Sequence, residues 1–279
     1  MLKDIFILSK HSQTIILNLL EVENVDNQEG IIEGGSVLMI KGKKVDNRKG
    51  ILFSESGLIT LTAIAPGMIS GESISKNMMV QNEEGKIWGN GVYGDEINNS
   101  SGVIHGESVV RLKRSINERG IIESAAWITL GDENNQEGRY NNKGGYIGAY
   151  GDEGYVGITV KYGLDQTTSS NIVANGWLQL NISEGGYENA GEVRAAGGLG
   201  ISALWVNNTG SIYTRKGLSL VSKGVVTNDG VLGSLGLIEI RASGDVWNKK
   251  TIWGNTGIEI ESELKIVNEG AMHSELPLP

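Results

Sequence analysis

"VNNTGSIYTRKGLSLVSKG" (206–224), "VTNDGVLGSLGLIEIRASG" (226–244) and "VWNKKTIWGNTGIEIESEL" (246–264) align with one another without a gap. Asn208, Asn228 and Asn248 recur at a constant step of 20, and Asn268 in "IVNEG" continues the count. Leu218/Leu220, Ile238/Ile240 and Ile258/Ile260 keep the same step. Residues at i and i+2 share one face of a strand, so each pair turns two apolar side chains the same way. Glycine stands two residues after the asparagine at 210, 230 and 270, whereas Lys250 takes that place in the third unit.

A looser version runs through the first half. Asn27 leads to Gly30, Asn47 to Gly50, Asn82 to Gly85, Asn99 to Gly102 and Asn117 to Gly120, with glycine now three residues on. The step is 17–20 residues, apart from a gap of 35 between Asn47 and Asn82 that is expected to hold two coils, with "APGMISG" (65–71) as a degenerate corner. A unit of this size with three short strands cannot bury its apolar face alone, but stacked on its neighbours it can. The fold class expected is therefore all-β, a right-handed parallel β-helix of about a dozen coils. At about 4.8 Å per coil, that is a rod on the order of 60 Å long. Asn208, Asn228, Asn248 and Asn268 then have a structural role as an amide ladder at one inward corner.

Residues 1–24 read as entry strands or a cap-like segment, 25–130 as coils, 131–190 as irregular Gly/Tyr-rich coils or loops, and 191–279 as regular 20-residue coils with an open end. Composition agrees with many short strands and tight corners: 41 Gly and only 3 Pro, with 39% apolar residues to build a core. A net charge of −9 argues against a broad nucleic-acid surface. The absence of cysteine removes disulfides, thiolate zinc sites and cysteine nucleophiles together. No apolar run is long enough to span a membrane as a helix, and the first 24 residues lack a clean signal-peptide core.

The unit V-x-N-x-G-x-[IL]…G-[LI]-x-[LI], most clearly "VDNRKGILFSESGLITLTA" (45–63) and "VNNTGSIYTRKGLSLVS" (206–222), resembles the repeats of filamentous haemagglutinin-type exoproteins. These are bacterial adhesins of two-partner secretion, and contact-dependent growth inhibition effectors carry the same repeats. The likeness covers 204–270 best, 25–130 fairly and 131–190 weakly. It implies a secreted, non-enzymatic β-helical stalk on the bacterial cell surface, without cofactors. Its implied partners are a cell-surface receptor (an outer-membrane protein or a glycan) and, during export, the outer-membrane transporter. The chain stops partway through a coil, which reads as a piece of a longer filament.

Candidate sites lie where the repeat breaks down. Six of the 8 tyrosines fall in 131–190. Tyr140, Tyr146, Tyr150, Tyr155, Tyr162 and Tyr187, with Trp177, are candidate receptor-contact residues, since tyrosine and tryptophan offer large contact area at low entropic cost. The bland alternative is that each merely decorates an outward strand position. "GDE" occurs at 94–96, 131–133 and 151–153, making Asp132, Glu133, Asp152 and Glu153 a weak candidate Ca²⁺ site against the alternative of a polar external turn. His11, His105 and His273 have no recognisable Ser or Asp context for a triad. The rival reading is a carbohydrate-active β-helix enzyme, a polysaccharide lyase or tailspike-like depolymerase, which needs clustered acids or bases on one sheet.

Overall fold

A computed structural model describes residues 4–6, 14–16, 19–63, 78–131 and 139–275, with side chains at 19–63, 78–131 and 140–275. Among them there is no helix; every regular element is a strand, and the strands pair in parallel. The chain divides into two compact units, Met1–Leu130 and Gly131–Pro279, each built of β-solenoid turns, about 12 in all.

Lys86–Asn98 and Val103–Ile116 run as continuous strands of 13 and 14 residues, whereas most turns carry a corner strand of about three residues, a middle strand of four, and a long strand of five or six. In the second unit these are, for one turn, Val206–Asn208, Ser211–Thr214 and Gly217–Ser222, and for the next Val226–Asn228, Val231–Ser234 and Leu237–Ala242. Each strand bonds to its equivalent one turn away, so identical positions stack in columns. The corner contributes Val206, Val226 and Val246; the middle strand Ile212, Leu232 and Ile252; the long strand Leu218 with Leu220 and Ile238 with Ile240. All are at most 1% exposed. Those columns are the i, i+2 pairs of the repeat, and stacking them removes from water an apolar surface that no single turn could cover.

The first unit follows the same plan, with Ile32, Leu52, Ile87, Ile104 and Ile122 as its middle column and Val25, Val45, Val80 and Ile97 at the corner. Its first strands are part of that plan: Asp4–Phe6 pairs with Asn24–Asp26, and Leu19–Glu21 with Met39–Lys41.

Asparagine ladders line the corner of both units. Asn27 Nδ2 donates to Asn47 Oδ1 at 2.6 Å, and the chain of bonds continues through Asn82, Asn99 and Asn117 at 2.7–2.8 Å. In the second unit Asn189, Asn208, Asn228, Asn248 and Asn268 are linked at 2.7–2.8 Å. Most amides also donate to a backbone carbonyl of the next turn, as Asn228 does to Thr251 O at 2.9 Å. The bend turns its carbonyls inward, and the amides satisfy polar groups that would otherwise be buried unpaired.

The two spacings from asparagine to glycine have a backbone cause. In the first unit the residue just before the glycine is left-handed in every turn: Glu29, Lys49, Glu84, Ser101 and Arg119 have φ of 54–58°. Asn-x-Gly corners such as 208–210 lack that residue. Glycine doublet 144–145 belongs to the longer type, with Gly144 in the left-handed position at φ 67°. A non-glycine residue there carries about 1–2 kcal/mol of strain, against about 0.5–1 kcal/mol of added backbone entropy for glycine. Ser101→Gly is expected to raise local stability by about 0.5–1 kcal/mol, read as slower amide exchange in the turns around it; faster exchange there contradicts this reading.

One expectation needs correction. The 35 residues between Asn47 and Asn82 form one turn, not two: Asn47 bonds Asn82 directly, and Val45 pairs with Val80 and Ile51 with Lys86. The surplus leaves the turn between Ala63 and Met78, so "APGMISG" lies outside the described residues. Asp95 joins the described residues on either side: Oδ2 accepts from Ala63 N at 2.9 Å and Met78 N at 3.4 Å, and Oδ1 accepts from Lys113 at 2.7 Å.

The segment 131–190, expected as irregular coils or loops, is described continuously from residue 139. Over 139–190 the same three-strand turn repeats, from Arg139–Asn141, Tyr146–Ala149 and Tyr155–Val160 onward. What changes is the corner. Gln166 stands in the ladder position between Asn142 and Asn189, and Ser170 ties the corner by donating to Asn142 O at 2.7 Å.

Candidate functional site

The asparagines are consumed by their own ladder, so a site must lie on outward positions. Of the seven aromatic candidates, Tyr140 and Tyr187 do not qualify. They occupy the corner column filled elsewhere by Val206 and Val226, and are 2% and 0% exposed. Tyr187 donates its hydroxyl to Gln166 Oε1 at 2.8 Å, and burial pushes that hydroxyl's pKa up from its ordinary value. Their phase is written in the sequence: Tyr140 and Tyr187 stand two residues before Asn142 and Asn189, as Val206 stands before Asn208. A larger ring fills the corner whose ladder is interrupted by Gln166.

The other five are on the outside, dispersed over different faces. Tyr146 is on a middle strand, and Tyr150 follows that strand. Tyr162 sits in a turn with Lys161, whose ammonium lies 5.1 Å from the ring centre. Hydrogen bonding to Tyr162, then to Glu184, raises the Lys161 pKa. Tyr155 and Trp177 lie on adjacent turns of the long-strand face, one residue before the paired Val156 and Leu178.

Asp132 and Glu133 lie outside the described residues, and Glu153 is an exposed turn residue. Asp152 borders a groove of about 870 Å³ on the middle-strand face with Arg194, Arg215, Tyr213 and Trp253. Among the described residues no group of three or more His, Asp or Glu side chains could hold a metal ion.

Elsewhere, charge serves the coil surface. Burial raises the Asp46 carboxyl, but hydrogen bonds from Arg48 (Nε 2.8 Å, Nη2 2.6 Å) outweigh it and leave the group below the usual carboxylate range. His105 stacks on Trp88 at 3.9 Å between ring centres, with Glu123 at 3.0 Å from Nδ1 and Glu107 at 3.1 Å from Nε2. Both ring nitrogens thus face carboxylates.

The long-strand face of the second unit carries a groove of about 500 Å³. It spans four neighbouring turns. One outward row reads Trp177, Gly198, Gly217 and Leu237, and the next Gln179, Gly200, Ser219 and Glu239. Trp177 and Gln179 form one wall, Leu237 and Glu239 the other, and glycine and serine make the floor. The six-membered ring of Trp177 covers Gly198 so closely that a Cβ there would collide with it, and Gln179 covers Gly200 in the same way. Gly217 has no such cover: an added Cβ would meet nothing nearer than Leu237 O, at 3.5 Å. Glycine weakens a strand, and in a strand interior it often marks close approach by a ligand. Trp177 remains 59% exposed.

Sequence reasoning found Trp177 but missed its neighbours. Glycines show no face in the sequence, and only the register of the long strands shows that Gly198, Gly200 and Gly217 point outward side by side. Compared with protein-family models, with curated proteins and with solved structures, the chain matches none of them. No helix among the described residues is long and apolar enough to cross a membrane.

Proposed function

We propose that this chain is a non-enzymatic β-helical segment of a haemagglutinin-like exoprotein, displayed on the bacterial cell surface, where it serves as stalk and as contact surface for a receptor on another cell. In its finer form, the segment is the receptor-binding part of a contact-dependent growth inhibition effector, and the outer-membrane transporter of two-partner secretion is its partner during export. The observation that carries this reading is the long-strand face of the second unit. There Trp177 stands exposed at the wall of a glycine-floored groove, with half-buried Tyr155 one turn away, each just before the paired Val156 and Leu178. A stack of paired strands holds such side chains in fixed positions, which lowers the ordering cost of recognition.

The groove argues for binding rather than hydrolysis. Glu239 is the one carboxylate among its lining residues, whereas glycoside hydrolysis calls for two.

The test is binding of the fluorescently labelled chain to intact Gram-negative cells. Saturable binding is expected, falling at least tenfold in Tyr155→Ala/Trp177→Ala and unchanged in Trp127→Ala, which removes an equally exposed tryptophan of the first unit. Binding that is absent, or equal in the wild type and the double variant, overturns the proposal.

A further inference from the structure

We propose that the groove between Trp177 and Leu237 binds a neutral oligosaccharide, one sugar ring stacking on the Trp177 indole and its hydroxyls bonding to Gln179, Ser202 and Ser219. The inference rests on the contact-surface reading above and names its ligand class.

Four observations lead to a sugar. First, the floor offers no backbone partner. Gly198–Ala203 and Gly217–Ser222 are bonded to strands on both sides, so an extended peptide cannot add to them as a strand, and recognition falls to outward side chains alone. Second, those side chains combine a flat apolar platform with uncharged amide and hydroxyl groups. A pyranose has the matching chemistry: one face of C–H bonds that lies against an aromatic ring, and a rim of hydroxyls that both donate and accept.

Third, the groove's charges are one of each sign, Lys216 and Glu239. That pair provides no net field to attract a polyanion. Fourth, the glycines make the space. Between the Trp177 and Leu237 backbones lie three strand steps, about 14 Å, and no side chain larger than serine rises from the intervening positions in these two rows. Trp177 already covers the part over Gly198, which leaves the ground over Gly217 and Ser219 open beside the indole. A groove of about 500 Å³ lies within the ordinary range for small-ligand sites, about 300–1,000 Å³.

Gly217 provides a variant that blocks the site without disturbing the coil. Its neighbours leave room for a side chain, so Gly217→Leu fills the groove from the floor. Trp177→Ala removes the platform, and Trp127→Ala serves as the control for nonspecific aromatic adhesion.

The experiment uses the full chain and a panel of cello-, chito-, xylo-, laminari- and manno-hexaose, with polygalacturonate as the acidic comparison, by titration calorimetry. Saturable binding of at least one neutral hexaose is expected. It should weaken at least tenfold in Trp177→Ala and Gly217→Leu, with both variants melting as the wild type does, and hold in Trp127→Ala. Binding of polygalacturonate alone, binding equal in all variants, or no binding overturns the inference. Cell binding that survives periodate oxidation of the cells but is lost on protease treatment also overturns it, by assigning the groove a protein partner while the contact-surface reading stands. Hexaose binding without cell binding supports the inference and removes the contact-surface reading instead.

Discussion

Replacing Asn228 by leucine is expected to destabilise the turns around it by about 4 kcal/mol. Asn228 is 1% exposed and sits mid-ladder. Its Oδ1 accepts from Asn208 Nδ2 at 2.8 Å, and its Nδ2 donates to Asn248 Oδ1 at 2.8 Å and to Thr251 O at 2.9 Å. Leucine has similar volume but leaves three groups with a bond missing, and a buried polar group without its partner costs about 1–3 kcal/mol. Asn208 Nδ2 keeps its bond to Val231 O, which holds the total below the sum of three full penalties. Stacked turns unfold in local units, so one global midpoint averages the effect away. Amide exchange over 211–254 is the sharper measure. A loss of about 4 kcal/mol corresponds to roughly a thousandfold faster exchange there. Asp229→Ala, one residue along, removes only an exposed pair with Lys250 and is expected to change stability by less than about 1 kcal/mol. Equal exchange in the two variants would mean that the ladder is ornamental.

Gly102→Ala is the second large effect, expected at about 3 kcal/mol. The glycine passes so close to the previous turn that an added Cβ would overlap Asn82 O, and it would also lie 2.7 Å from Asn99 Oδ1 and 2.9 Å from Asn82 Nδ2. The carbonyl is backbone and cannot swing aside, so the methyl must push two turns apart at the ladder itself. Gly50, Gly85 and Gly120 meet the same atoms of their own neighbours, which is why glycine follows asparagine through the first unit. Gly217→Ala is the counterpart. With only Leu237 O at 3.5 Å, it is expected to be neutral or to stabilise by about 0.4–1 kcal/mol through the unfolded chain. The two substitutions are chemically identical, and amide exchange over the turns around each separates them. If both cost the same, the close packing of turns at the ladder is wrong.

The sequence revealed the architecture through side chains whose spacing is the geometry. Asn208, Asn228 and Asn248 recur because they touch, and Ile238 and Ile240 alternate because a strand does. Features that depend on the register between turns were harder to see. The 35-residue interval between Asn47 and Asn82 matches two turns by length, and only the Asn47–Asn82 bond shows it to be one turn with an excursion. Tyr140 and Tyr187 read as contact residues by type, yet their place two residues before an asparagine assigns them to the core column. The floor of the candidate site escaped for a different reason. Gly198, Gly200 and Gly217 carry no side chain with which to declare a face, so their outward alignment emerges only once Leu199, Ile201 and Leu218 are known to point inward.

The pairing of turns can be read directly in a chain that has no cysteine of its own. Val221 and Arg241 are outward partners on adjacent long strands, and Glu239 lies two residues off that register. Adjacent strands run about 4.8 Å apart, within disulfide reach, whereas a two-residue offset places the pair about 8 Å apart, beyond it. Mild oxidation is expected to close the disulfide in Val221→Cys/Arg241→Cys and to leave Val221→Cys/Glu239→Cys reduced. The opposite pattern, or no bond in the first variant, would contradict the parallel stacking on which every assignment above depends.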